Sequence, residues 1–186
     1  SLMDYAINST LVLGSVALHR QDRFGLITFS HKAGDLVVAD KKPGQIKMLQ
    51  DALYRINTEY WESDYEKLYL QVRSHIKQRS MLILFTNFES STGMRRHLPY
   101  LRQLAKHHLL LVIFFENTNL AALSNETATS LEGIYTNTIA AKYVYEKKMI
   151  VKELMHHGIL ALVSPPQQLT VQAVNKYVEL KTRQAI

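Results

Sequence analysis

From Ser80 to Phe115 the chain reads SMLILFTNFESSTGMRRHLPYLRQLAKHHLLLVIFF, and this stretch decides the fold. Ser80–Thr86 is a short run that is apolar on both faces, as expected of a central parallel strand buried by helices. Arg96–His107 has helical character, and Leu109–Phe115 is a second strand of the same doubly buried kind. A strand, a helix and a strand in that order form the crossover unit of a parallel sheet.

Working outward, the same alternation continues. On the N-terminal side, Leu2–Arg20 repeats Leu2, Tyr5, Ala6, Leu13, Val16 and Ala17 at helical spacing. Phe24–Phe29 (FGLITF) is a compact strand, and a turn at His31–Gly34 leads to a short strand at Asp35–Ala39. The Lys41–Gly44 turn then opens a helix over Gln45–Asn57, with Ile46, Leu49, Leu53 and Ile56 on one face. Ser63 is placed to cap the next helix, whose stripe is Leu68, Val72 and Ile76. On the C-terminal side, Asn119–His157 reads as helix in two or three pieces, broken near Asn125 and Gly133 and stopped by Gly158. Ile159–Val163 is the last strand, and Pro165-Pro166 leads into a closing helix over Leu169–Thr182. The expected architecture is one α/β domain over 1–186. It is a doubly wound, mostly parallel sheet with helices on both faces and the second strand antiparallel on one edge.

Composition narrows the function classes. A chain of 186 residues with 47% hydrophobic and 20% charged side chains suits one globular domain. Its longest apolar stretch, Leu109–Phe115, falls far short of the roughly 20 residues of a membrane span, and no basic-then-apolar signal segment opens it. A soluble, cytoplasmic protein is expected. Without cysteine there are no disulfides, thiolate metal sites or cysteine nucleophiles. The net charge of +6 is scattered over pairs such as Lys41–Lys42, Arg95–Arg96 and Lys147–Lys148, which read as solvated surface rather than a nucleic-acid stripe.

No nucleotide-binding or hydrolase motif is present. The seven glycines (14, 25, 34, 44, 93, 133, 158) are too far apart for a dinucleotide fingerprint or a P-loop, and there is no G-x-S-x-G elbow. Adjacent histidines, His107-His108 and His156-His157, point about 100° apart on a helix and cannot chelate from one face; they read as helix-terminal residues that favour the C-terminal dipole. Glu59, Glu62 and Asp64 form a small acidic cluster with no nucleophile or base beside it. One place stands out. Sites in open parallel sheets form beyond the carboxyl ends of the strands, and two polar groups are expected there: Ser63-Asp64, and Thr86-Asn87 with Glu89. Their oxygens either converge on a hard cation, or Ser63 and Asn87 merely cap the helices that follow them.

At these residues the chain resembles a known family. Leu2–Ala17 (LMDYAINSTLVLGSVA), Gln21–Ser30 (QDRFGLITFS), Glu62-Ser63-Asp64-Tyr65 and Arg79–Phe88 (RSMLILFTNF) are similar, in order, to the D-Y-A helix, G-D-x-V-G-L-x-x-F, E-[ST]-D and R-S-L-x-x-L-x-T-D segments of a bacterial von Willebrand factor A-like family. That family is catalogued as domain of unknown function fifty-eight. The likeness is specific in the first half and loose after Asn119. It implies a Rossmann-like doubly wound sheet, no catalytic activity, and a MoxR-type AAA ATPase as partner. Related A-domains hold magnesium at an adhesion site, where Ser63 matches the second element and Asn87 the third, normally an aspartate. The first strand and its Asp-x-Ser-x-Ser loop are missing from this chain, and Asn87 lacks a formal charge. The resemblance therefore implies a degenerate site at Ser63 and Asn87, with magnesium weak or absent unless that loop is present upstream. Asp64, Thr86 and Glu89 form the expected partner-binding rim. With a strand missing from the sheet centre, a homodimer is expected if the chain is complete. The competing readings are a metal-assisted hydrolase using Asp64 or Glu89, and a basic nucleic-acid-binding surface.

Overall fold

A computed structural model describes residues 1–31, 33–56, 63–88, 90–118, 120 and 130–183. In chain order the elements are α1 (Leu2–His19), β1 (Phe24–Phe29), β2 (Ala33–Asp40), α2 (Gln45–Tyr54), α3 (Tyr65–His75), β3 (Met81–Thr86), α4 (Ser91–His107), β4 (Leu109–Phe115), α5 (Leu131–His156), β5 (Leu160–Ser164) and α6 (Leu169–Thr182). They gather into two compact units, Ser1–Ser80 with Gln167–Ile186, and Met81–Pro166. No described helix is long and apolar enough to cross a membrane.

The α/β alternation is as expected, but the strands fall into two hydrogen-bonded sheets rather than one. In the first unit β1 and β2 pair antiparallel, Phe24 opposite Asp40 and Ile27 opposite Leu36. Gly34 sits where this hairpin closes most tightly, since a β-carbon there would lie 1.9 Å from the Thr28 carbonyl oxygen. Gly34→Ala must push the strands apart, and a loss of about 1–3 kcal/mol in urea unfolding is expected, the usual cost of overpacking.

Gln45, only 1% exposed, ties α2 to this hairpin. Its Nε2 donates to the Phe24 and Val38 carbonyls at 2.8 and 2.9 Å. The buried stripe of α1 is Ala6, Ser9, Thr10, Leu13, Gly14 and Ala17, whereas Leu2 and Tyr5 of the expected stripe are exposed. Small residues win because α1 packs closely: the Ser9 and Thr170 hydroxyls bond at 2.8 Å, and Gly14 lies under the Phe24 ring.

Asp22 locks the start of this unit to α6. Its carboxylate accepts from the Tyr177 hydroxyl and, at 2.9 Å, from Lys181 Nζ. Burial opposes ionisation of Asp22, but these two donors outweigh it and hold its pKa below 3.8, while burial and the same carboxylate push Tyr177 well above its ordinary value. A carboxyl depressed on folding stabilises the native state above its unfolded pKa and loses that contribution as pH falls through the folded value. Wild type is therefore expected to exceed Asp22→Asn in stability at pH 7, and the gap should close below about pH 3.8, read from urea midpoints across that range. A gap that stayed constant with pH would refute the ionic contribution.

The second unit runs β3–α4–β4–α5–β5 with strand order β3-β4-β5, all parallel. The middle strand is β4, not β3 as expected. An apolar run reports cover over both faces and says nothing about how many hydrogen-bonded neighbours a strand has. Burial agrees: β4 is buried from Leu110 to Phe115, whereas only Leu84 of β3 is buried. Both crossovers step in the same direction, so right-handed connections place α4 and α5 on one face of this sheet rather than one on each. The two helices are tied together, with Arg95 Nε donating to both Glu153 oxygens at 3.0 and 3.1 Å.

One expectation about helix limits changes. The helix α5 is one piece through Gly133, because the Ser130 hydroxyl accepts from the Gly133 amide at 3.1 Å and starts the helix there. The expected break near Asn125 lies outside the described residues. Gly158 does end α5, in the left-handed region at φ 75°.

Candidate functional site

Ser63 does not cap α3. The cap is Asp64, whose carboxylate accepts from the Lys67 amide at 3.0 Å and pairs with Lys67 Nζ at 3.3 Å. The bond from the Lys67 amide is the main cause of an Asp64 pKa below the ordinary carboxylate value. The segment is anchored from below, since the Asp64 amide donates to the Ser30 carbonyl at 3.2 Å and Tyr65 meets Phe29 edge-to-face at 5.3 Å. Asp64 is thus occupied by helix capping, for the ordinary reason that first-turn amides lack internal partners. Ser63 and Asp64 belong to the first unit, Thr86 and Asn87 to the second. Glu89, Glu59 and Glu62 lie outside the described residues.

Asn87 does not cap a helix either. Ser90 caps α4, accepting from the Gly93 amide at 3.1 Å. The Asn87 amide oxygen instead accepts from Lys147 Nζ, which also donates to the Phe88 carbonyl at 2.6 Å. Lys147 is 6% exposed, and its ammonium lies 5.4 Å from the Phe114 ring centroid and 5.5 Å from that of Tyr143. Phe88 packs on Phe114 and stacks with His97, both at 5.9 Å. A cation therefore stands at the carboxyl end of β3, where the described residues that hold it include the Asn87 and Phe88 oxygens and the Phe114 and Tyr143 rings.

This corrects the reading of Lys147–Lys148 as solvated surface. Lys148 is exposed, but Lys147 shares the buried side of α5 with Ala140, Ile150 and Leu154. Spacings of seven, three and four residues put all four on one face. That periodicity was the one available signal, and the lysine pair concealed it. Glu146 steadies the same turn: it accepts from the Ser91 amide at 3.0 Å, and this bond, with the Ser91 hydroxyl, holds its pKa low.

Beside Lys147 runs a groove of about 470 Å³. Tyr143, Val144, Val151 and Met155 of α5 line it with Val163 of β5. Glu116 and Asn117 contribute from the carboxyl end of β4, where the Glu116 amide donates to the Ser164 carbonyl at 2.9 Å. The position beyond the strand ends is where open parallel sheets place their sites.

The histidine pairs do sit at helix ends, His107 and His156 in last turns with His108 and His157 just beyond. His108 departs from the dipole reading, because burial and then neighbouring His107 push its pKa down and favour the neutral ring. Among the described residues no group of three or more histidine, aspartate or glutamate side chains is placed around a common point. Magnesium does not fit the Asn87 oxygen as it stands, since an ammonium already donates to it. Set against protein-family models, curated proteins and solved structures, the chain matches none.

Proposed function

We propose that this chain is a non-catalytic protein-interaction module of von Willebrand factor A-like type, in which Lys147 replaces the divalent cation of an adhesion site. The observation that carries the reading is the buried Lys147 ammonium donating to the Asn87 amide oxygen and the Phe88 carbonyl. A carboxylate at position 87 would favour a divalent ion. An amide oxygen paired with an internal ammonium satisfies both groups without one, and the fixed positive charge repels an incoming cation. The partner proposed, on the resemblance alone, is a MoxR-type AAA ATPase. Against a metal-assisted hydrolase stands the engagement of Asp64 as a helix cap.

The test is thermal melting in excess magnesium and in chelator. A magnesium site filled to 100 times its Kd adds about 2.7 kcal/mol, worth roughly 5–10 °C in a chain of this size. Coincident melting curves are expected, and a rise of that order would overturn the reading. A phosphatase screen with divalent ions is expected to give no turnover above buffer.

A further inference from the structure

We infer that the groove beside Lys147 is the partner-binding surface of this module, and that it takes an acidic, apolar peptide segment. The inference deepens the reading above and rests on it. Three observations carry it. The lining is mainly apolar, from Tyr143, Val144, Val151, Met155 and Val163, so an occupant must supply apolar side chains to displace water. Among the described lining residues the charged groups are unbalanced, with Lys147, Lys148 and Lys152 set against Glu116. The lining residues of α5 run from Tyr143 to Met155, about 18 Å along the axis at the helical rise, which is longer than a compact metabolite and suits a short stretch of chain.

The lysines differ in role. Lys147 is buried and bound to Asn87 and Phe88, so it contributes a fixed field. Lys148 and Lys152 are exposed and stand one turn apart on α5. Residues four apart on a helix are neighbours at about 5–6 Å, a spacing matched by two carboxylates one turn apart on an incoming helix. An apolar helix face laid into such a groove, with charges at its margin, is an established mode of peptide recognition.

The test uses the whole chain and a fluorescein-labelled peptide of about twelve residues, three helical turns, with leucines on one face and glutamates beside them. A control peptide carries lysine for each glutamate, and a second control is an oligothymidylate with the same negative charge as the glutamate peptide. Fluorescence anisotropy is expected to show saturable binding of the glutamate peptide only, weakening as salt rises. The double variant Lys148→Glu, Lys152→Glu should lose at least about tenfold in affinity for it and gain affinity for the lysine peptide, with an unchanged melting temperature because both positions are exposed. Equal binding of both peptides, equal binding of the oligothymidylate, no binding, or indifference to the double variant would each overturn the inference. Magnesium-indifferent melting alongside any of these failures would leave the module reading standing and remove only the groove.

Discussion

Phe114→Ala is expected to destabilise the protein by about 3–5 kcal/mol, the range for truncating a fully buried phenylalanine. Phe114 is 0% exposed in the middle strand, paired with Thr86 of β3 on one side and Val163 of β5 on the other. Its ring touches Phe88 and carries the Lys147 ammonium on its face. Alanine leaves a cavity and also strips one aromatic face from a buried cation. Against a typical total stability of about 5–15 kcal/mol, this is a large fraction. Urea unfolding measures it directly, and a loss under about 1 kcal/mol would show that the β3–β4–β5 core is packed differently.

The second large effect is expected at Lys147, where the size depends on the replacement. In Lys147→Glu a carboxylate meets the Asn87 and Phe88 oxygens, acceptors facing acceptors, with no buried cation in place. An uncompensated charge of this kind costs about 3–5 kcal/mol. The penalty should shrink toward about pH 4, where a glutamate raised by burial takes up its proton and becomes a donor. Lys147→Met keeps the stem volume but takes the Lys147 donor away from the Asn87 and Phe88 oxygens, a loss of about 1–3 kcal/mol. Methionine about 1–3 kcal/mol below wild type, with glutamate lower still at pH 7, is the expected pattern. Equal losses for both would mean that the lost ammonium, rather than the introduced carboxylate, sets the cost.

Position on the helix separates Lys147 from Lys148, and the same principle explains what was legible from sequence. LLLVIFF at Leu109–Phe115 was read with its limits correct, because seven successive apolar residues have no stable place except inside a sheet covered on both faces. Gly158 was legible as a stop because a positive φ costs glycine nothing. Ser63 and Asp64 are both good capping side chains one residue apart, and the backbone gives the place to Asp64. The strand β3 is apolar on both faces, as a central strand should be, yet it lies at the edge of its sheet; strand order is set by hydrogen-bonded neighbours, which composition does not encode.

The amino-acid order by itself determined the α/β alternation, the parallel pairing of the two most apolar runs, and the absence of cysteine chemistry. These follow from local periodicity and residue type, and need no knowledge of what lies across the fold. Only the tertiary structure decided that Asn87 meets an ammonium rather than a helix amide. Lys147 lies 60 positions further along the chain, and its side chain reaches β3 because α4 and α5 pack on the same face of the sheet. The groove is likewise a tertiary product, assembled where α5 passes the ends of β4 and β5.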